Sequence, residues 1–250
     1  MMEPTHLSRA PIVEAVIDFR ATASADFDVN ILGALGHQIG SAYGAGQEIN
    51  LLEVGWLQEP GRQPQSRRID HGCIGSRYAS LDGKHVAQFR KDGFTFSRFA
   101  PYTRWADLFG EASRLYALFV EAIRPSEITR IAVRYINRLS LPEDAVKDFS
   151  PFLTAPPPFP PGLGAYLTGF LTQIQIQEPD TSIAGTIIQT IQQGAAEPGE
   201  VAVILDLDIY EAAVRPPDPP TLLPRFETLR KIKNKYFFAS ITEKTLELFI

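Results

Sequence analysis

Two Asp-Gly dipeptides, Asp82-Gly83 and Asp92-Gly93, separate three short apolar runs, Arg77 to Leu81, Lys84 to Lys91 and Phe94 to Phe99. Asp-Gly suits the type I′ turn, whose two central residues both need positive φ, so the spacing predicts an antiparallel meander. That meander excludes an all-helical fold, and the flanking sequence extends it. Pro11 to Arg20 alternates, with Val13, Ala15, Ile17 and Phe19 on one side and Glu14, Asp18 and Arg20 on the other, as in a half-buried strand. Further extended segments are expected at Glu48 to Leu57, Thr129 to Leu141, Tyr166 to Gln177, Ile183 to Gln192, Val201 to Tyr210 and Ser240 to Ile250, with a loop at Pro60 to Gly75.

Two segments carry helical spacing instead. Trp105, Leu108, Phe109, Ala112, Leu115, Tyr116, Phe119 and Ile123 trace one face of a helix that ends at Arg124-Pro125. In Thr221 to about Phe238, Leu222, Phe226, Leu229, Ile232 and Tyr236 form a stripe. Arg230, Lys231, Lys233 and Lys235 gather toward the C-terminal end, where the helix dipole favours cations. A shorter helix is read over Phe27 to Tyr43, capped by Asp26 or Asp28, and a helical stretch over Glu143 to Phe152. Ala155 to Gly162 is rich in proline, cannot continue a ladder, and reads as a stiff connector.

The order of these elements repeats. Residues 1–125 read strand, helix, three or four strands, helix; residues 126–250 read strand, insert with the 155–162 connector, three strands, helix. The expected fold is α+β, in two similar halves, each a curved antiparallel sheet gripping one long amphipathic helix. This β-α-β4-α order is similar to that of TATA-binding-protein-like and helix-grip domains, a likeness that concerns architecture alone.

Composition narrows the function classes. At 44% hydrophobic and 21% charged residues the chain has an ordinary globular balance. A net charge of −5 removes the electrostatic drive for general nucleic-acid binding. Cys73 is the single cysteine, which excludes an intrachain disulfide and a cysteine-rich zinc site and fits a reducing cytoplasm. Residues 1–10 lack the apolar stretch of a signal peptide, and no apolar run reaches the roughly 18 residues of a membrane span.

Three segments, Leu7 to Val16, Arg130-Ile-Ala-Val-Arg-Tyr-Ile-Asn-Arg138, and Leu229 to Phe238 before Ile241-Thr-Glu243, resemble a family of uncharacterised, sporadically distributed bacterial proteins of about this length. The resemblance spans the whole chain. It implies a bacterial cytoplasmic protein, on accessory genomic segments, and carries over no catalytic residue.

The candidate site residues follow from chemistry. Arg130, Arg134 and Arg138 share one strand face, and a row of guanidinium forks suits an anion; cross-strand carboxylates such as Asp206 and Asp208 are the structural alternative. Asp206 and Asp208 with Glu14 are a minimal oxygen-ligand set for a divalent cation, set against an ion-paired sheet face. Trp105 and Phe109 are placed to border a pocket between helix and sheet, or to fill the core. His71 and Cys73 lie in a polar loop, two residues apart, a poor arrangement for a nucleophile pair. Gln173, Gln175 and Gln177, with Thr186 and Thr190, form a polar uncharged sheet surface suited to homodimer pairing. Walker, GxGxxG, GxSxG and HExxH motifs are absent from the sequence, and no cofactor is expected. The leading expectation is a non-catalytic protein-interaction, regulatory or assembly module with a protein partner or a second copy. The alternatives are a small-molecule binder with a helix-sheet pocket and a metal-dependent hydrolase or nuclease using Asp206 and Asp208.

Overall fold

A computed structural model describes all residues except 1–6, 25–26, 29, 58–62, 64, 160–163, 193 and 195–196. The strands are β1 (Ile12–Thr22), β2 (Gln47–Leu57), β3 (Gln65–Ala79), β4 (His85–Arg90), β5 (Gly93–Phe99), β6 (Glu127–Pro142), β7 (Leu171–Gln177), β8 (Ile183–Ile191) and β9 (Glu200–Arg215). The helices are α1 (Ile31–Ala34), α2 (Trp105–Ile123), α3 (Pro219–Leu222), α4 (Arg225–Ser240) and α5 (Glu243–Glu247). All the strands join one sheet in the order β2-β3-β4-β5-β1-β6-β9-β8-β7, and every pairing is antiparallel.

This overturns the expected two-sheet α+β architecture, in which each half would clasp its own long amphipathic helix. β1 and β6 pair directly, with Ile17 opposite Val133 and Phe19 opposite Ile131, so the strands on either side form one continuous sheet. An open β1 edge would leave a row of unpaired backbone donors and acceptors; pairing it with β6 satisfies them. The two longer helices also share a core. Phe19 of β1 stacks on Tyr116 of α2 at 3.8 Å and meets Phe226 of α4 at 5.0 Å, while Phe109 of α2 meets Phe226 at 5.5 Å.

Local readings also change. Thr221 to Phe238 divides into α3 and α4, and the buried stripe of α4 is Phe226, Leu229, Lys233, Phe237 and Ser240 rather than one through Ile232 and Tyr236. Among the described residues, Phe27 to Tyr43 holds α1 and a 3-10 turn at Leu35–His37 rather than one helix; Asp26 lies outside the described residues. Much of Pro60 to Gly75 is strand β3, and Ser240 to Ile250 holds α5 rather than a strand. Of the 155–162 connector, 160–162 lie outside the described residues. No described helix is long and apolar enough to cross a membrane.

One face of the sheet carries the buried apolar side chains: Ala15, Ile17 and Phe19 on β1, Val133 and Tyr135 on β6, and Leu205, Leu207 and Ile209 on β9. The opposite face of these central strands carries Asp18, Arg130, Arg134, Asp206 and Asp208. α4 crosses the apolar face, and its second half faces β6 near Tyr135.

Candidate functional site

Where α4 passes over β6, the segment before α2 and residues at and just ahead of the start of β1 border an open pocket of about 320 Å³. Its walls are mixed: Leu7, Pro11, Ile12, Phe237 and Phe238 supply apolar surface, and Tyr102, Trp105 and Tyr135 supply rings. Arg104, Arg230 and Lys233 line it, and no aspartate or glutamate is among the described lining residues.

Lys233 is the unusual member. It falls between Leu229 and Phe237 on the buried stripe of α4, so helical periodicity turns it toward the sheet. Only 8% of it is exposed, and its Nζ stands 3.9 Å from the centroid of the Tyr135 ring. No described carboxylate pairs with it. Burial, reinforced by the charge of Arg230, pushes its pKa down to about 7. A ring face gives an ammonium some compensation for lost water, about 2 kcal/mol when desolvated, but no hydrogen-bond acceptor.

The surrounding groups are held more conventionally. Trp105 Nε1 donates to Glu227 Oε1, and Arg230 Nη1 donates to Glu227 Oε2 at 3.1 Å, so Glu227 ties α4 to the start of α2. The Arg230 guanidinium lies 5.4 Å from the Trp105 ring centroid. Tyr102 and Tyr135 have their hydroxyls 3.3 Å apart, and burial raises both phenol pKa values, so both stay protonated at neutral pH. Asn137, buried beside Tyr135, donates through Nδ2 to the backbone oxygens of Tyr135 (3.2 Å) and Leu205 (3.0 Å).

The residues singled out from sequence are distributed elsewhere, with one exception. Trp105 borders the cavity. Phe109 stacks on it at 4.9 Å but belongs to the packed core with Phe226. Arg130 donates to Asp18 at 3.0 Å and to Asp208 at 2.7 Å, and Arg134 makes a forked contact with Asp206 at 2.9 and 2.5 Å. These guanidiniums are occupied by carboxylates. Arg138 stands further along β6, donating to Ser140 Oγ at 2.8 Å. Burial raises the Asp208 pKa against the pull of Arg130 and Arg134. Glu14 is on the same face of β1 as Asp18, and among the described residues no three or more His, Cys, Asp or Glu side chains gather as a metal site. His71 contacts Glu53 at 3.1 Å, while the Cys73 thiol donates to the Gly75 carbonyl at 3.4 Å, so the two side chains take different partners. Tyr102, Tyr135, Asn137, Arg230 and Lys233 were not among the residues singled out as a site. The available signal was a lysine at the i+4 position from Leu229 and the i−4 position from Phe237.

No protein-family model matches the chain, and no curated protein matches its sequence.

Proposed function

We propose that this protein binds a small anionic ligand with an apolar body in the cavity between α4, β6 and the start of α2. The observation that carries the reading is the cationic lining around Lys233, an ammonium group withdrawn from water with no carboxylate beside it among the described residues. A buried unpaired charge is costly, and a carboxylate or phosphate of the ligand supplies the missing partner. The aromatic and aliphatic walls suit the rest of such a molecule, and the volume lies in the range of small-ligand pockets.

The test is calorimetry and thermal shift with benzoate, 4-methylbenzoate, phenylacetate, hexanoate and phenyl phosphate, each against its uncharged amide or alcohol. At least one anion is expected to bind about tenfold or more tighter than its neutral match at pH 6, to weaken toward pH 8.5 as Lys233 loses its proton, and to lose that preference in Lys233→Met. Equal response to anions and neutral matches overturns the reading.

A second reading, an interaction module, is favoured by edge strand β2, where Leu51, Leu52, Val54 and Trp56 are exposed, Trp56 at 73%. Exposed apolar residues on a sheet edge invite another chain. Sedimentation of the protein and of a Val54→Thr, Trp56→Ser variant decides it: an assembly lost in the variant supports the module, and a monomer in both removes self-association.

A further inference from the structure

Lys233 combines four features that a purely structural lysine lacks. It is more than nine-tenths buried, it faces a cavity open to a small molecule, no described carboxylate pairs with it, and the charge that acts on it from α4 is another cation, Arg230. Lysine amines become nucleophiles under these conditions, where desolvation and a neighbouring positive charge favour the neutral form. The groups around it agree. On its own helix are Arg230 and Glu227, and Glu227 is engaged with Arg230 and Trp105. From β6 comes Tyr135, and from the segment before α2 come Tyr102 and Arg104. None of these is a free carboxylate that would hold the amine protonated.

We infer that the cavity's ligand is a carboxylate-bearing aldehyde or ketone, drawn in by the charges of Lys233 and Arg230 together and then captured by Lys233 as an imine, which leaves its carboxylate beside Arg230. The inference rests on the anion-binding reading and deepens it. In the step, the neutral Nζ lone pair forms a bond to the carbonyl carbon. The carbonyl oxygen takes up two protons, one from the amine and one from solvent, and leaves as water as the C=N bond closes, so the product is the protonated imine. No oxidant, reductant or metal enters the balance. With its pKa pushed down to about 7, Lys233 is about half neutral at pH 7, whereas an ordinary lysine is neutral in less than about one part in a thousand.

The experiment uses the full chain with two probes, 4-formylbenzoate and its non-carbonyl counterpart 4-methylbenzoate. The protein is incubated with 4-formylbenzoate and sodium cyanoborohydride across pH 6 to 10, and the reduced adduct is located by peptide mass spectrometry. Lys233 is expected to be labelled at least about tenfold faster than Lys231 and Lys235 of the same helix at pH 7, with a rate that half-rises near neutrality. 4-Methylbenzoate is expected to compete, and Lys233→Arg, shown folded by circular dichroism, is expected to lose the adduct. The comparison with Lys231 and Lys235 keeps the result interpretable even if that variant is unstable. Binding of 4-methylbenzoate and 4-formylbenzoate with no selective adduct overturns the imine and leaves the anion site standing. Absence of both binding and selective labelling overturns both.

Discussion

At the scale of single residues, two buried charges behave in opposite ways because one has ionic partners and the other has none among the described residues. Glu211 on β9 is 2% exposed and accepts from Ser182 Oγ at 2.6 Å, Arg215 Nη2 at 2.7 Å and Arg225 Nε at 2.5 Å, fastening the first residue of α4 to the sheet. Burial works to raise its pKa, but these donors outweigh it and bring it down to about 2. A folded-state value below the unfolded one means stability that is present above about pH 4.5 and is lost as pH falls toward 2. Glu211→Gln is expected to cost about 3 kcal/mol at pH 7, since it strands two arginines. That deficit is expected to shrink at pH 3, and urea unfolding at both values checks it; an equal deficit at both would count against the pairing. Lys233 carries the reverse sign. Its folded-state value near 7 lies below the ordinary 10.5, so the unfolded chain binds more protons between these limits and stability rises with pH across them. Lys233→Met is therefore expected to be the more stable protein at pH 6.5, by about 1 to 3 kcal/mol, with the gap narrowing toward pH 9.5 in matched urea titrations.

At the scale of elements, the meander shows what local sequence does and does not encode. Asp82-Gly83 and Asp92-Gly93 correctly mark reversals, yet neither is the expected type I′ turn, because Arg124 and Asp180 are the described non-glycine residues with positive φ. Gly83 alone takes the left-handed conformation at φ 70°, with open space around it, and Asp82 stabilises the turn by accepting from Ser80 Oγ at 2.6 Å and Lys84 N at 3.0 Å. Gly93 instead opens β5, pairing with Arg90 and Arg20, where a Cβ would collide with the carbonyl oxygen of Phe19. Both glycines have positive φ, and Gly93 adds a strand contact that leaves no room for a Cβ. Gly83→Ala is expected to cost about 1 kcal/mol and Gly93→Ala about 3 kcal/mol or more, and thermal unfolding of the pair checks the order. α2 was legible over its whole length because its apolar period is unbroken. α4 was legible as a helix but not as a site, because Lys233 reads as one of several cations favoured by the helix dipole until the packing shows which way it faces. Tyr102, Tyr135 and Asn137 were illegible as a group for a simpler reason: they are brought together by pairing between distant segments, and such pairing leaves no local trace.

At the scale of the whole molecule, the same limitation explains why one sheet was read as two. The alternation in β1 and in β6 shows that each has a buried face, but nothing within either segment states that Ile17 will lie opposite Val133. The consequence is energetic as well as topological. Core residues before position 125, such as Phe19, Phe94 and Tyr116, share one cluster with Val133, Ile209, Phe226 and Leu229 from beyond it. Separating the chain at residue 125 would expose that apolar surface together with the paired backbones of β1 and β6, costs that neither part recovers alone. Equilibrium unfolding is therefore expected to be a single transition, with far-ultraviolet circular dichroism and the fluorescence of Trp56 and Trp105 changing together. Native-state hydrogen exchange is expected to be slowest in β1, β6 and β9 at the middle of the sheet and fastest in β2 and β7 at its edges. A fragment of residues 1–125 is expected not to hold native structure on its own. Two resolved transitions, or a stably folded 1–125 fragment, would instead mean that the β1–β6 seam joins units already stable apart, and that the shared core around Phe19 contributes little to holding the molecule together.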